Sequence, residues 1–84
     1  MNLKQARYIR TIAQEGGVTA AAKKLYISQP SLSQMLRQIE GGLGVELFDR
    51  TVQPFRPTYA GECYLRAAQA MLSANEILEN EIQQ

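Results

Sequence analysis

Histidine is missing from this chain of 84 residues, and cysteine occurs once, as Cys63. A zinc site therefore has no ligand set, and a nucleophile paired with an imidazole is excluded. One thiol cannot close an internal disulfide, which fits a reducing cytoplasm. A lone cysteine of this kind reads as a small apolar packing residue before it reads as a redox sensor. No stretch approaches the roughly 18 consecutive apolar residues of a membrane helix. Lys4, Arg7 and Arg10 interrupt the first turns, so the start does not read as a signal peptide. These absences argue against an enzyme, and they call for no catalytic residue, no metal, no cofactor and no membrane partner.

Net charge is also scarce, at +1, which looks too weak for a nucleic-acid binder until its distribution is read. Residues 1–58 hold eight lysines and arginines against four acids, a net of +4, while residues 59–84 hold Arg66 against Glu62, Glu76, Glu79 and Glu81, a net of −3. A basic head and an acidic tail point to two tasks in one chain. The length suits one small domain, near the lower end of what a single core stabilises alone.

What is present is helical periodicity. Leu3, Ala6, Ile9, Ile12 and Ala13 share a face, which predicts a first helix over 3–15 with Asn2 as N-cap. Gly16-Gly17 ends it, and Gly17 can open a short second helix over about 18–25 whose Ala21, Ala22 and Leu25 face inward. Tyr26-Ile27 turns the chain, with Ile27 plugging the core. Ser28 then caps a third helix over about 29–43 that ends at Gly44, with Pro30 in its first turn where a missing N–H costs little. Gly41 and Gly42 cost about 1 kcal/mol each relative to alanine in its last turn. Two helices joined by a short turn make a helix-turn-helix over about 18–43. Val45, Leu47 and Phe48 return the chain to the core. Pro54 and Pro57 exclude helix from Asp49 to Thr58 and suit a two-stranded hairpin, a wing. Thr58 caps a last helix over about 59–82.

The third helix, SQPSLSQMLRQIE from Ser28, divides its labour unusually. Leu32, Leu36, Ile39 and Leu43 form the apolar stripe, while Pro30, Ser33, Gln34 and Arg37 lie opposite. A solvated face is usually rich in glutamate and lysine. This one is short, neutral, and built of groups that both donate and accept hydrogen bonds. In the last helix Tyr64, Ala68, Met71, Asn75, Leu78 and Ile82 alternate spacings of four and three, a heptad seam. Its apolar surface is broader than a small domain needs, and a partner helix is the simplest consumer. Met71, Leu72, Ala74, Ile77, Leu78 and Ile82 are expected to stay wet in a monomer.

The segments AAAKKLYISQPSLSQMLRQIE, LGVELFDR and PTYAG together resemble the N-terminal winged helix-turn-helix of LysR-type transcriptional regulators, and residues 59–84 are similar to that family's linker helix. The resemblance implies a mainly α fold: a three-helix core with a small two-stranded wing over residues 1–58, and a long dimerisation helix over 59–84. It implies a bacterial, cytoplasmic transcription factor that binds double-stranded DNA at an inverted-repeat operator as a homodimer. It also implies an effector-binding domain that this chain lacks, so the chain is read as a DNA-binding piece, with a naturally short regulator as the alternative. Carried over by position, Gln29, Pro30, Ser33 and Gln34 read base edges. Thr19, Ser31, Arg37 and Arg50 hold phosphates, and Gln53 and Arg56 belong to the wing. Tyr64, Ala68, Met71, Asn75, Leu78 and Ile82 form the dimer interface.

The chain departs from that family pattern in three places. Position 34, often basic, is Gln, which lowers affinity from that helix and shifts the preferred bases. Gln53-Pro54 stands where the wing often places an arginine. Gly41-Gly42 replaces better helix formers. Arg37, Arg50 and Arg56 read alternatively as surface cations or as partners of Glu40 and Asp49. The competing reading of the whole chain is a helical protein–protein adaptor without DNA binding, argued from the broad stripe over 60–82 and the small net charge.

Overall fold

Three of the four helices begin where a side-chain oxygen can take up an orphan backbone N–H. In this computed structural model, which describes residues 1–84, α1 spans Leu3–Glu15, α2 Val18–Leu25, α3 Gln29–Leu43 and α4 Tyr59–Ile82, with strands β1 at Phe48–Asp49 and β2 at Arg56–Pro57. Asn2 and Gln5 form a reciprocal capping box at the start of α1. Asn2 Oδ1 accepts from the Gln5 N–H at 2.8 Å, and Gln5 Oε1 accepts from the Asn2 N–H at 3.1 Å. Ser28 Oγ accepts from the Ser31 N–H at 3.2 Å at the start of α3. Thr58 Oγ1 accepts from the Gly61 N–H at 3.0 Å and donates to the Glu46 carbonyl at 2.6 Å, tying α4 to the preceding loop. Only α2 starts without such help, because Gly17 has no side chain to offer.

The turn between α2 and α3 is made by Tyr26, which adopts the left-handed conformation at φ 58°. That geometry costs a non-glycine residue roughly 1–2 kcal/mol. Hydrogen bonds offset it: the Tyr26 N–H reaches the Lys23 carbonyl at 3.3 Å, and the Ile27 N–H reaches the Ala22 carbonyl at 3.1 Å. The turn swings α3 across α2 and leaves Ile27 packed against the core, as its position in the sequence predicts.

Ile9 and Ile12 of α1, Ala21 and Ala22 of α2, Leu32 and Leu36 of α3, and Leu47 and Phe48 form one buried cluster. A second, smaller cluster joins α1 to α4 through Ala6, Ala68 and Leu72, flanked by Leu3, Tyr64 and Met71. Gly61 lets the start of α4 approach the loop before the wing, since a Cβ there would run into the backbone carbonyl of Leu47. The wing is smaller than a hairpin usually is. Its two strands pair antiparallel over two residues each, Phe48 with Pro57 and Asp49 with Arg56. What holds it is anchorage: the Phe55 N–H donates to the Gly16 carbonyl at 2.8 Å, and Phe55 packs on Phe48 with ring centroids 6.3 Å apart. Gly16, at φ 77°, also leaves room for Pro54, which a Cβ at that position would meet.

Four expectations about burial need correction. Leu43 and Val45 are exposed, although their sequence pattern places both against the core. The last turn of α3 runs past the point where α1 and α2 supply packing partners, so its apolar stripe continues without anything to cover it. Leu72 is buried rather than wet, and Met71 is half-covered, because α1 lies along the first half of α4.

Candidate nucleic-acid interface

Burial of Leu32 and Leu36 fixes the rotation of α3 and turns Gln29, Pro30, Ser31, Gln34 and Arg37 outward, with Ser33 half-buried on one shoulder. The outward groups arrive partly organised. Gln29 Nε2 donates to Ser33 Oγ at 2.6 Å, one turn on, so two of the expected base readers act as a linked pair. At the helix start the Ser31 N–H donates to Ser28 Oγ, whose hydroxyl in turn donates to Ser31 Oγ at 2.7 Å. A hydroxyl has a single hydrogen to donate, so this chain leaves that of Ser31 for an outside acceptor.

Two grooves flank α3. On the α1 side, Lys4, Gln5 and Tyr8 face Ser28, Ser31, Gln34 and Gln38 across about 670 Å³. On the wing side, Ser33 and Arg37 face Val18, Glu46 and Arg50 across about 310 Å³. Arg50 is engaged in that second groove. Its Nη2 pairs with Glu40 Oε1 at 2.8 Å, and its guanidinium lies over the Phe55 ring, 5.8 Å from the centroid. Glu40 Oε2 accepts from the Leu47 N–H at 2.6 Å, so one carboxylate anchors both the wing and the loop before it. Arg50 thus makes the pairing with Glu40 that its sequence position offered beside a phosphate contact. Arg37, the other cation near Glu40, makes no ion pair.

Thr19 sits in the first turn of α2 beside the uncapped N–H groups left by Gly17, and shares a groove of about 280 Å³ with Gln53 of the wing. Gln53 and Arg56 are exposed. Arg56 lies opposite Asp49, whose carboxyl is held below the usual carboxylate range, chiefly by the Thr51 hydroxyl and backbone N–H at 2.6 and 2.9 Å, with the Arg56 charge adding to them. The fold thus gathers Gln29, Pro30, Ser31, Ser33, Gln34 and Arg37 on one ridge, with Thr19 and Gln53 together in a separate groove.

The residues expected at a dimer interface divide into two groups. Ala68 has no accessible surface, because α1 covers it, and this removes it from the expected seam. Tyr64 is half-buried between the two clusters, with its hydroxyl enclosed and unpaired, and burial pushes its phenol up from the ordinary value. Met71 lines an apolar groove of about 740 Å³ with Leu3, Ala74 and Leu78. Asn75 borders the same groove and donates to Glu79 within its own helix at 2.7 Å. Leu78 and Ile82 are exposed, and so is Ile77.

Reading the sequence offered Glu40 as a partner of Arg50 but missed its bond to the Leu47 N–H and the α1-side groove. Glu40 and Leu47 follow no local period, so nothing local marks that bond. Lys4 and Tyr8, one helical turn apart on the outer side of α1, are a signal that periodicity does carry.

Comparison with known proteins agrees with this geometry. Residues 3–62 match the model of the bacterial regulatory helix-turn-helix protein, lysR family. The HTH-type transcriptional regulator BsdA of Bacillus subtilis (strain 168) is 45% identical over all of this chain, which covers 29% of that protein. The HTH-type transcriptional regulator ClcR of Pseudomonas putida is 40% identical over 92% of the chain, covering 26% of its own length. The chain thus spans under a third of these relatives. Among solved structures, the BenM_DBD/catB site 1 DNA complex superposes with a TM-score of 0.90 at 31% identity, covering 99% of this chain and 93% of that one. The CbnR_DBD-DNA complex does so at 0.86 and 30%, covering 99% and 95%. With a winged helix-turn-helix that matches these structures throughout and a family model that spans most of its length, the chain belongs to the lysR family of bacterial regulatory helix-turn-helix proteins.

Proposed function

We propose that this chain is the arm by which a bacterial transcriptional regulator binds double-stranded DNA sequence-specifically, with α3 in the major groove and the wing towards the minor groove. The observation that carries the reading is the outward face of α3, which is exposed, internally hydrogen-bonded and free of acids from Gln29 to Ile39. Gln29 and Gln34 have the donor–acceptor pair that matches adenine N6 and N7, Ser33 reads either sense, and Pro30 offers an apolar surface to a thymine methyl. Ser31 and Arg37 hold phosphates beside them. Thr19 does so with the open N–H groups of α2, where partial positive charge favours an anion. With Arg50 tied to Glu40, we leave it out of the phosphate set. Gln53 and Arg56 are the wing residues presented to the backbone or the minor groove. The two solved structures described above, each of nearly the same extent as this chain, are both complexes with DNA.

In this reading the arm acts as a homodimer through the exposed end of α4, on an inverted-repeat site. Met71, Leu78 and Ile82 make the contact with Asn75 at its edge, and Tyr64 braces the start of α4 from within. The functional division then falls inside α4, near Leu72, rather than at Thr58, since the first half of the helix packs on α1. An effector-binding domain is a further partner that the family resemblance brings. No helix is long and apolar enough to cross a membrane, and the reading places the protein in the cytoplasm, with no enzymatic role.

Binding to a preferred and a scrambled duplex, followed between about 50 and 200 mM salt, tests this reading, since each phosphate engaged contributes roughly −0.9 to the slope of log affinity on log salt. Gln34→Ala should cost about 1–3 kcal/mol on the preferred duplex and relax discrimination at one position. Arg37→Ala should weaken both duplexes alike and lower the slope by about one. A chain that binds no duplex would be a helical adaptor instead, and equal effects of the two variants on both duplexes would sink the face assignment.

A further inference from the structure

The two grooves beside α3 differ in size and in charge. The wing-side groove holds Arg37 and Arg50 against Glu40 and Glu46, so its charges cancel. The α1-side groove is lined by Lys4 with no acid at all. Its other polar groups, Gln5, Tyr8, Ser28, Ser31, Gln34 and Gln38, are of types that can all donate hydrogen bonds. The face of α3 that reads bases and this groove share Ser31 and Gln34, so whatever strand lies against one continues into the other. A sugar–phosphate backbone is the one part of a duplex that is anionic along its whole length, and this is the flank without a repelling charge.

We propose that the backbone of the DNA strand beside the recognition helix lies in the groove between α1 and α3, clamped by Lys4 and Tyr8 of α1. The geometry prepares both residues. They lie one turn apart on α1, and the Lys4 ammonium sits 5.7 Å from the centroid of the Tyr8 ring. Attraction of the cation to the ring face keeps it over the groove rather than adrift in solvent. Tyr8 packs its ring against the core, which fixes where its hydroxyl emerges. Ser31 supplies the free hydroxyl hydrogen on the opposite wall. The clamp rests on the DNA-binding reading above and extends it to a helix that the helix-turn-helix itself does not include.

The test uses the whole chain carrying Lys4→Gln, Lys4→Arg or Tyr8→Phe, on preferred and scrambled duplexes across a salt series. Lys4 also borders the apolar groove at α4, so a single half-site duplex is included to separate DNA contact from dimerisation. Lys4→Gln should weaken binding to every duplex, the half-site included, by about three- to tenfold and lower the salt slope by about one. Lys4→Arg should restore both. Tyr8→Phe should weaken binding several-fold with the slope unchanged, because it removes a donor and no charge. Lys4→Gln that leaves affinity and slope intact while Arg37→Ala lowers both would overturn the clamp and spare the DNA-binding reading. So would a loss confined to the inverted repeat. A wild-type chain that binds no duplex would overturn both proposals together.

Discussion

Helices α3 and α4 each carry an apolar stripe, yet they meet very different surroundings. In α3, 15 residues are capped at both ends, by Ser28 and by the left-handed Gly44, and Leu32 and Leu36 are covered on all sides by the head. In α4, 24 residues outrun their support. Its only long neighbour, α1, has 13 residues. At roughly 1.5 Å per residue, α4 is about 36 Å long and α1 about 20 Å. The stripe is therefore buried as far as Leu72 and bare from Ile77 onward. Polar faces differ as well. From Gln29 to Ile39 α3 has no acid, whereas the bare end of α4 carries Glu76, Glu79 and Glu81. Periodicity shows that a stripe will be buried; the length of the neighbour decides whether the chain itself or another molecule buries it.

Truncating one leucine in each helix is the most severe test of that contrast. Leu36 is 1% exposed and Leu78 is 54% exposed. Leu36→Ala should cost about 2–5 kcal/mol of unfolding free energy, from lost transfer energy and the cavity left behind. Leu78→Ala, followed by urea denaturation at concentrations too low for association, should change stability by less than about 0.5 kcal/mol. The same variant should weaken self-association in sedimentation equilibrium. Similar losses of monomer stability from both variants would show that α4 is packed along its whole length, and the contrast would fail.

A smaller effect separates the acids of the two helices. The Glu40 side chain is 11% exposed and accepts from both Arg50 and the Leu47 N–H, so its charge serves the fold. Glu40→Gln keeps one acceptor and loses the ion pair. It should cost about 1.5–3 kcal/mol, the range for a hydrogen bond to a charged group, and the figure should fall at the low end because Arg50 is partly in solvent. Released from its partner, Arg50 should also raise affinity for scrambled duplex and steepen the salt slope. In α4 the Glu79 carboxylate accepts only from the side chain of Asn75, one turn earlier. Glu79→Gln should therefore leave unfolding within about 0.5 kcal/mol of wild type. Equal destabilisation by the two substitutions, or a Glu40→Gln chain with unchanged duplex affinity, would remove the distinction.

Most of the fold was legible in local chemistry. Asn2, Ser28 and Thr58 mark helix starts because each has a side-chain oxygen close to the backbone, and Gly16 and Gly44 mark ends because each adopts a positive φ. These signals need no knowledge of the tertiary structure. The outward ridge of α3 was legible for the same reason, since burial of Leu32 and Leu36 dictates which residues lie opposite. What local chemistry left open was reach. Leu43 and Val45 look like core residues by pattern, and only the positions of α1 and α2 show that the core ends before them. Ala68 looks like a seam residue and Leu72 like a wet one, and only the path of α1 shows that both are covered within the chain. For Arg50 the sequence offered both a phosphate and Glu40, and only the tertiary structure brings its guanidinium to Glu40.

Asn75 allows a last and smaller refinement, at the point where covered and bare halves of α4 meet. It borders the apolar groove formed by Leu3, Met71, Ala74 and Leu78, yet its amide donates along its own helix to Glu79 at 2.7 Å. A polar residue on such a seam either fixes the register of two helices or weakens their contact. Because one N–H of the amide is already engaged within the chain, the second role fits, and the residue limits how far apolar contact extends from Met71 to Leu78. Full burial of a leucine stabilises by roughly 1.5–3 kcal/mol. The groove is open on one side, so Asn75→Leu should gain about 1 kcal/mol per subunit, hence about 2 kcal/mol per dimer and roughly thirtyfold in the association constant. Sedimentation equilibrium of the variant beside wild type measures the difference. A tighter dimer supports a seam that continues through position 75. Trimers or mixed species would make Asn75 a device for register and oligomeric state, and an unchanged constant would mean that the second chain meets α4 only beyond it, at Leu78 and Ile82.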